Sequence, residues 1–455
     1  MKDRSHLYTQ ENITIDLMTH FNKRRLRVLL SCFFLTYLIT GCGMYENQGY
    51  QYSRSNQNST QNLNLFTPPG HHIETDLVHS VQLNRSGNPS SAPILQLNQS
   101  QQLHLSFEIL EFDSRQFRIT FSHHNPDWSR SSLPPEFFIN GMDTHILDAG
   151  QVSRVHRPSY RQYSYQFPNN RFQFTKSGNY QLQIRDHDNG DLILQLPFFV
   201  TENEGDTRST VETFPVPRQN MRITHRPVSW YSLPDIVDQP FFDLEFYFTQ
   251  NQFWGKLREA DEVDFSDPDE VKFELSNQNS FVGDYEFLTL SLNNLTQSNP
   301  QIVESRPGEY PPTIYLTDDV SGFSSSRSIQ TGRYGRPNRD LTAQYANVVF
   351  TFDPAEEISY GQSIYLVGDF NNWMINPDTE LKRDENLNRW QTSSIIKEGS
   401  YSYKYVLMAN NQVDELYFDD QFSRTRQEYH SFVYMRDSSE FYYRLLHVNR
   451  FLSDS

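Results

Sequence analysis

Between about residues 93 and 200, apolar side chains recur at every second position. Leu103, Leu105, Phe107 and Ile109 alternate with polar residues, as do Phe117, Ile119 and Phe121. Tyr163, Tyr165 and Phe167 repeat the pattern, followed by Tyr180, Leu182 and Ile184 and then the run from Leu192 to Val200. A strand turns successive side chains to opposite faces, so this period marks strands with one buried face. Asn, Pro and Gly turns separate the runs, which predicts an antiparallel sandwich. The polar stretch "TENEGDTRST" closes this block near Glu202.

Two further blocks follow. The middle one, about Val211 to Gln344, offers fewer strands: Leu244 to Phe248, Phe287 to Leu292 and Thr313 to Leu316. Its longest polar segment, "DDVSGFSSSRSIQTGRYGRPNRD", is a length that implies a mobile or functional loop. The last block predicts strands at Val348 to Phe352, Ile364 to Gly368, Tyr401 to Met408, Phe432 to Arg436 and Phe441 to Leu446. In "YSYKYVLM", Tyr401, Tyr403 and Tyr405 share one face. No long amphipathic helical pattern occurs. The expected fold class is all-β, built from tandem immunoglobulin-like β-sandwich domains.

The chain's beginning reads differently. Lys23, Arg24, Arg25 and Arg27 precede an apolar run from Val28 to Ile39, and Thr40-Gly41-Cys42 follows. This is the order of an export signal, and the run is shorter than the ~20 residues of a membrane span. Ile39-Thr40-Gly41-Cys42 resembles a bacterial lipobox, in which the cysteine receives the lipid. Translation from Met18 would give a signal of ordinary length. From Gly43 to about Ser90 the chain is rich in Gln, Asn, Ser and Tyr, without apolar periodicity. That composition describes a tether, which would span roughly 40 Å root-mean-square.

Composition narrows the function classes. The 455 residues suffice for two to four domains, and 14% are aromatic, which suits packed β-structure. Formal net charge is −17, so a nucleic-acid partner is not expected. Removing residues 1–41, with six basic and three acidic groups, takes the charge to −20 and favours a basic partner. Cys32 and Cys42 are the only cysteines, which rules out disulfides and thiolate chemistry in the body of the chain.

Candidate chemistry is sparse. His123, His124 and Asp127 in "SHHNPDW" are metal-ligand types, but neighbours on a strand point apart and no third ligand is evident. Asp318-Asp319 and Asp419-Asp420 are acidic pairs, and adjacent carboxylates diverge in the same way. No phosphate loop, His-Glu-x-x-His pair or nucleophile elbow occurs. Neither an enzyme nor a cofactor nor a bound metal is expected.

"SIYLVGDFNNW", from Ser363 to Trp373, resembles the opening of glycogen-binding modules. That resemblance implies that Trp373 stacks on a glucose ring and that Lys404 hydrogen-bonds the sugar. The second platform Trp of such modules is missing, its place falling near Val413. Losing one flat aromatic removes about 1–3 kcal/mol of affinity. Trp373 also suits the role of a plug at the end of a sandwich, so sugar binding is not the expected use.

A broader likeness runs from about Leu95 to Met408. "FDSRQFRITFSHHNPDW", "YSYQFPNNRFQFTKSGNYQLQIRD", "AQYANVVFTF", "SIYLVGDFNNW" and "IIKEGSYSYKYVLM" follow the order and rough spacing of the type IX secretion system plug proteins. The chain resembles that family, most specifically through Pro168-Asn169 followed by Ser177-Gly178-Asn179-Tyr180. The resemblance implies a non-enzymatic periplasmic protein that closes the periplasmic end of a giant outer-membrane β-barrel translocon. Lipid on Cys42 would then anchor it to the outer membrane on the periplasmic side. The competing class is a glycan-binding lipoprotein of a polysaccharide uptake system. The expected organisation is a lipoprotein signal over residues 1–42, a tether over 43–90 and a sandwich over 91–203. A second β-domain with long loops over 204–344 and an immunoglobulin-like, glycogen-module-like domain over 345–455 complete it.

Overall fold

The structure is a computed structural model that describes residues 66–74, 77–111, 113–147, 149–156, 158–215, 223–321, 335–419 and 426–454. The expected signal segment, Cys42, the first part of the tether and residues 322–334 of the long polar loop lie outside the described residues. All described residues belong to one compact unit. Their strands form three successive β-sandwiches.

The first sandwich contains β1 (Val78–Arg85), β2 (Leu103–Ile109), β3 (Phe117–His124), β4 (Thr144–Leu147), β5 (Gln151–Val152), β6 (Arg161–Phe167), β7 (Gly178–Asp186) and β8 (Leu192–Thr201). One sheet runs β8-β7-β3-β4 and the other β1-β2-β6-β5, with short strands filling the outer edge of β8. The alternating residues meet between them: Leu103, Leu105 and Phe107 on one sheet against Phe117, Ile119, Tyr180, Leu182 and Ile184 on the other.

The second sandwich contains β9 (Asp206–Pro215), β10 (Ile223–Ser232), β11 (Leu244–Gln250) and β12 (Glu270–Glu274), and the third β13 (Tyr345–Asp353), β14 (Gln362–Gly368), β15 (Arg389–Lys397) and β16 (Gly399–Ala409). The closing hairpin, β17 (Glu428–Asp437) and β18 (Tyr442–Leu452), then returns to the second sandwich. There β17 pairs antiparallel with β11, from Leu244 opposite Met435 to Gln250 opposite Tyr429. Phe246, Phe248 and Phe273 pack with Val433, Met435 and Leu446 in that core. The third sandwich is closed by Leu290, Ile314, Val348, Phe350, Ile364, Leu366 and the three stacked-side tyrosines Tyr401, Tyr403 and Tyr405.

Two expected boundaries change. Residues 345–455 do not make one domain, because β17 and β18 complete the middle sandwich and leave the third inserted before them. The tether does not reach residue 90. Val78–Arg85 is a strand paired with β2, and Phe66 is buried with Phe253 and Trp373. The physical reason is a bulge in β1: the register shifts between His79 and Gln82, and Ser80 takes φ +52°. That extra residue breaks the period by which a strand is recognised.

Candidate functional site

"GDFNNW" folds into one tight turn at the end of β14. The Gly368 amide donates to Asn371 Oδ1 at 2.8 Å, and Asn371 Nδ2 donates to the Leu366 carbonyl at 2.9 Å. Asn372 and Trp373 both lie in the left-handed region, at φ +54° and +60°. Asn accepts that conformation at low cost; a Trp seldom does. Here the turn swings the indole inward, where its Nε1–H donates to Asp369 Oδ1 at 2.9 Å. Phe66, Phe253 and Phe287 surround it with ring centroids 5.4–5.6 Å away. Trp373 is 0% exposed. Its flat face is closed to a sugar.

Lys404, the other glycan candidate, is 2% exposed. Its Nζ donates to Asp419 Oδ2 at 2.6 Å and lies 4.1 Å from the Tyr285 ring centre. Both side chains therefore face the protein interior and are closed to a sugar. Val413, near the missing second Trp, packs against the same cluster.

The histidine pair separates as strand geometry demands. His123 bonds Ser131 Oγ and the Ser177 carbonyl, each at 2.9 Å. His124 bonds Ser122 Oγ at 2.9 Å and the Trp128 carbonyl at 2.8 Å. Burial lowers the pKa of His123 from 6.5 to about 4, which keeps it neutral. Asp127 serves its own turn by accepting from the Ser129 amide. Asp319 accepts from the hydroxyls of Tyr403 and Tyr405 at 2.9 and 2.8 Å, whereas Asp318 faces Arg389 at the surface. Among the described residues, no three of His, Cys, Asp and Glu gather as metal ligands.

Polar residues that the sequence left unremarked lock the sandwiches to one another. Glu108 leaves β2 on the face away from its own core. Lys397 Nζ of the third sandwich donates to its Oε1 at 2.6 Å. Tyr345 donates to Glu108 Oε2 at 2.5 Å and Gln162 to Oε1 at 2.9 Å, while Lys397 lies 4.4 Å from the Tyr160 ring centre. Burial pushes the Glu108 carboxyl pKa up and the Lys397 ammonium pKa down. Between the second and third sandwiches, Lys256 pairs with Glu415 and donates to the Tyr285 hydroxyl at 3.0 Å. The first and second are joined by the paired Arg444 and Glu202, at 2.8 and 2.5 Å, and by Tyr434 donating to Asn179 at 2.7 Å. The Trp128 indole also donates to the Trp254 carbonyl at 3.0 Å.

The first sandwich supplies the decisive comparison. Residues 78–202 match the family model of the type 9 secretion system plug protein 1st domain. The match supports the plug family over that domain, and its bounds follow the structure, from the start of β1 to the end of β8. A crystal structure of a hypothetical protein from Parabacteroides merdae ATCC 43184 shares the fold, with TM-score 0.75 and 19% identity over 84% of this chain and 99% of that one. The C-terminal domain of the Streptococcus pyogenes antigen I/II-family protein AspA aligns over 82% of this chain and 99% of that one, at TM-score 0.16 and 7% identity, and carries no argument. No curated protein matches the chain. The plug-like domain is thus one of three interlocked sandwiches.

Proposed function

We propose that this chain is a non-enzymatic plug that closes the periplasmic end of a large outer-membrane barrel of the type IX secretion system. The observation that carries the reading is the match of residues 78–202 to the plug domain. Three sandwiches cross-linked by one buried and two half-buried ion pairs and by hydrogen bonds suit a stopper, which must resist deformation at an opening. The net charge of −17 favours docking on a basic rim, a contact that weakens as salt rises. A lipid on Cys42 would keep the body near the outer membrane and raise its effective concentration at the barrel. The glycan-binding alternative loses its two contact residues to the core.

Deleting the gene is expected to make the outer membrane leaky to large antibiotics, and the tagged protein is expected to co-purify with a very large barrel. Acyl-chain labelling in vivo should mark the wild type and not Cys42→Ala, and the unlipidated protein should plug less well without losing the activity. Unchanged permeability on deletion, together with recovery of uptake proteins instead of a barrel, would overturn the proposal.

A further inference from the structure

The first sandwich is open along one side. β4 ends its sheet, and no strand among the described residues pairs with its outer edge. On the facing sheet β5 covers β6 only at Arg161 and Gln162. The Ser153 amide donates to the Tyr160 carbonyl at 2.8 Å, which fixes the side to which β6 turns its backbone groups. Same-side groups recur at every second residue of a strand, so Gln162, Ser164 and Gln166 direct theirs outward. Asn169 Nδ2 occupies the Gln166 carbonyl at 3.1 Å. No strand among the described residues covers the backbone of Ser164. Between the two bare edges lies a cleft of about 530 Å³.

Bare edges in soluble proteins are ordinarily blunted by lysines, prolines or bulges. Neither "THIL" of β4 nor "YSYQF" of β6 contains a lysine or proline. Three apolar side chains stand exposed on these segments instead: Met142, Ile146 and Val152 are 56%, 40% and 44% exposed. Leu147 and Tyr165 line the slot from within. Among the described lining residues Arg171 is the one with a full charge; His145 also lines the cleft, and burial lowers its pKa. Among the described lining residues no carboxylate answers this guanidinium, and in an edge-bearing cleft of mixed polar and apolar lining it complements one.

We infer that this cleft takes an extended peptide segment of a partner protein as an added strand, with alternate apolar side chains in the slot and a carboxylate on Arg171. A row of backbone donors and acceptors is matched by another extended backbone, while the slot and Arg171 supply selectivity. The inference does not depend on the plug reading, because it uses the edges of one sandwich alone.

The test uses the soluble chain lacking residues 1–42 and a fluorescein-labelled peptide of alternating threonine and valine with a free C-terminus. Fluorescence anisotropy should show saturable binding. Amidating the peptide C-terminus or introducing Arg171→Ala should each weaken it about tenfold, the scale of one charge-assisted hydrogen bond. Ser164→Pro, which removes an outward N–H, should abolish it. Arg171 is exposed, so its variant keeps the fold and leaves the test intact if Ser164→Pro misfolds. The inference is overturned by absent saturable binding or by equal binding to the amidated peptide and to Arg171→Ala. It is also overturned by a concentration-dependent dimer that Ser164→Pro dissolves, since a second copy would then fill the edge.

Discussion

Replacing Lys397 with methionine tests whether the sandwiches are held together by their buried charges. Its side chain is 0% exposed and that of Glu108 is 2% exposed. Met keeps most of the length and apolar stem of Lys, so packing changes little and the lost charge dominates. The variant strands a carboxylate whose remaining donors are Tyr345 and Gln162. Breaking a buried pair on one side costs about 3–5 kcal/mol, at the midpoint a factor of roughly 1000 in the folded-to-unfolded ratio. Adding Glu108→Gln removes the stranded charge, so the double variant should recover to within about 2 kcal/mol of wild type. The deficit also depends on pH. Burial already raises the Glu108 pKa above its ordinary 4.5, and losing the cation raises it further. A raised folded-state pKa gives stability below 4.5 that is lost as pH rises through the folded value. The Lys397→Met deficit should therefore be small near pH 4 and full by neutrality. Urea unfolding of the soluble chain followed by Trp fluorescence measures all three proteins. If the single and double variants unfold at the same midpoint, or the deficit ignores pH, the pair does not couple the sandwiches.

Trp373→Ala should cost about 3–5 kcal/mol, as expected for emptying a buried aromatic site, and wild-type protein should give no saturable heat with maltooligosaccharides. A micromolar dissociation constant abolished by that variant would contradict the burial argument. Burial holds His123, His225 and His430 at about pKa 4, below their ordinary 6.5. Their contribution is full above 6.5 and is lost as pH falls towards 4, by at most about 1.4 kcal/mol per pH unit each, with Glu108 offsetting part of the slope. Thermal melts should show Tm falling over that window and His123→Gln reducing the slope; a flat profile would count against neutral burial.

Local periodicity carried much of the strand inventory. Leu103 to Ile109 and Thr313 to Leu316 match strands residue for residue, and Tyr401, Tyr403 and Tyr405 do share one buried face. Period-two patterns report one strand and its own core, and β1 escaped because its bulge shifts the phase. Glu108 sits in the polar phase of β2, where a solvated face is the natural expectation. It is buried because another sandwich covers that face, a fact no local pattern encodes. The same limit hid the pairing of β11 with β17. Trp373 was legible as a special residue, but only the turn geometry decides whether its ring faces a ligand or the core.

The return of β17 and β18 to the middle sandwich has a consequence for how the molecule is made. Domains emerging from synthesis or translocation tend to fold in order from the N-terminus. The first sandwich has all its strands once Thr201 has emerged, and the third once Asp414 has. The middle one must wait, with Phe246, Phe248 and Phe273 lacking Val433, Met435 and Leu446 until the last hairpin arrives. Maturation thus runs first, third, second, and the central segment stays open to chaperones and proteases until the hairpin arrives. A chain stopped before Glu428 would present two finished ends around a sticky, unfinished centre.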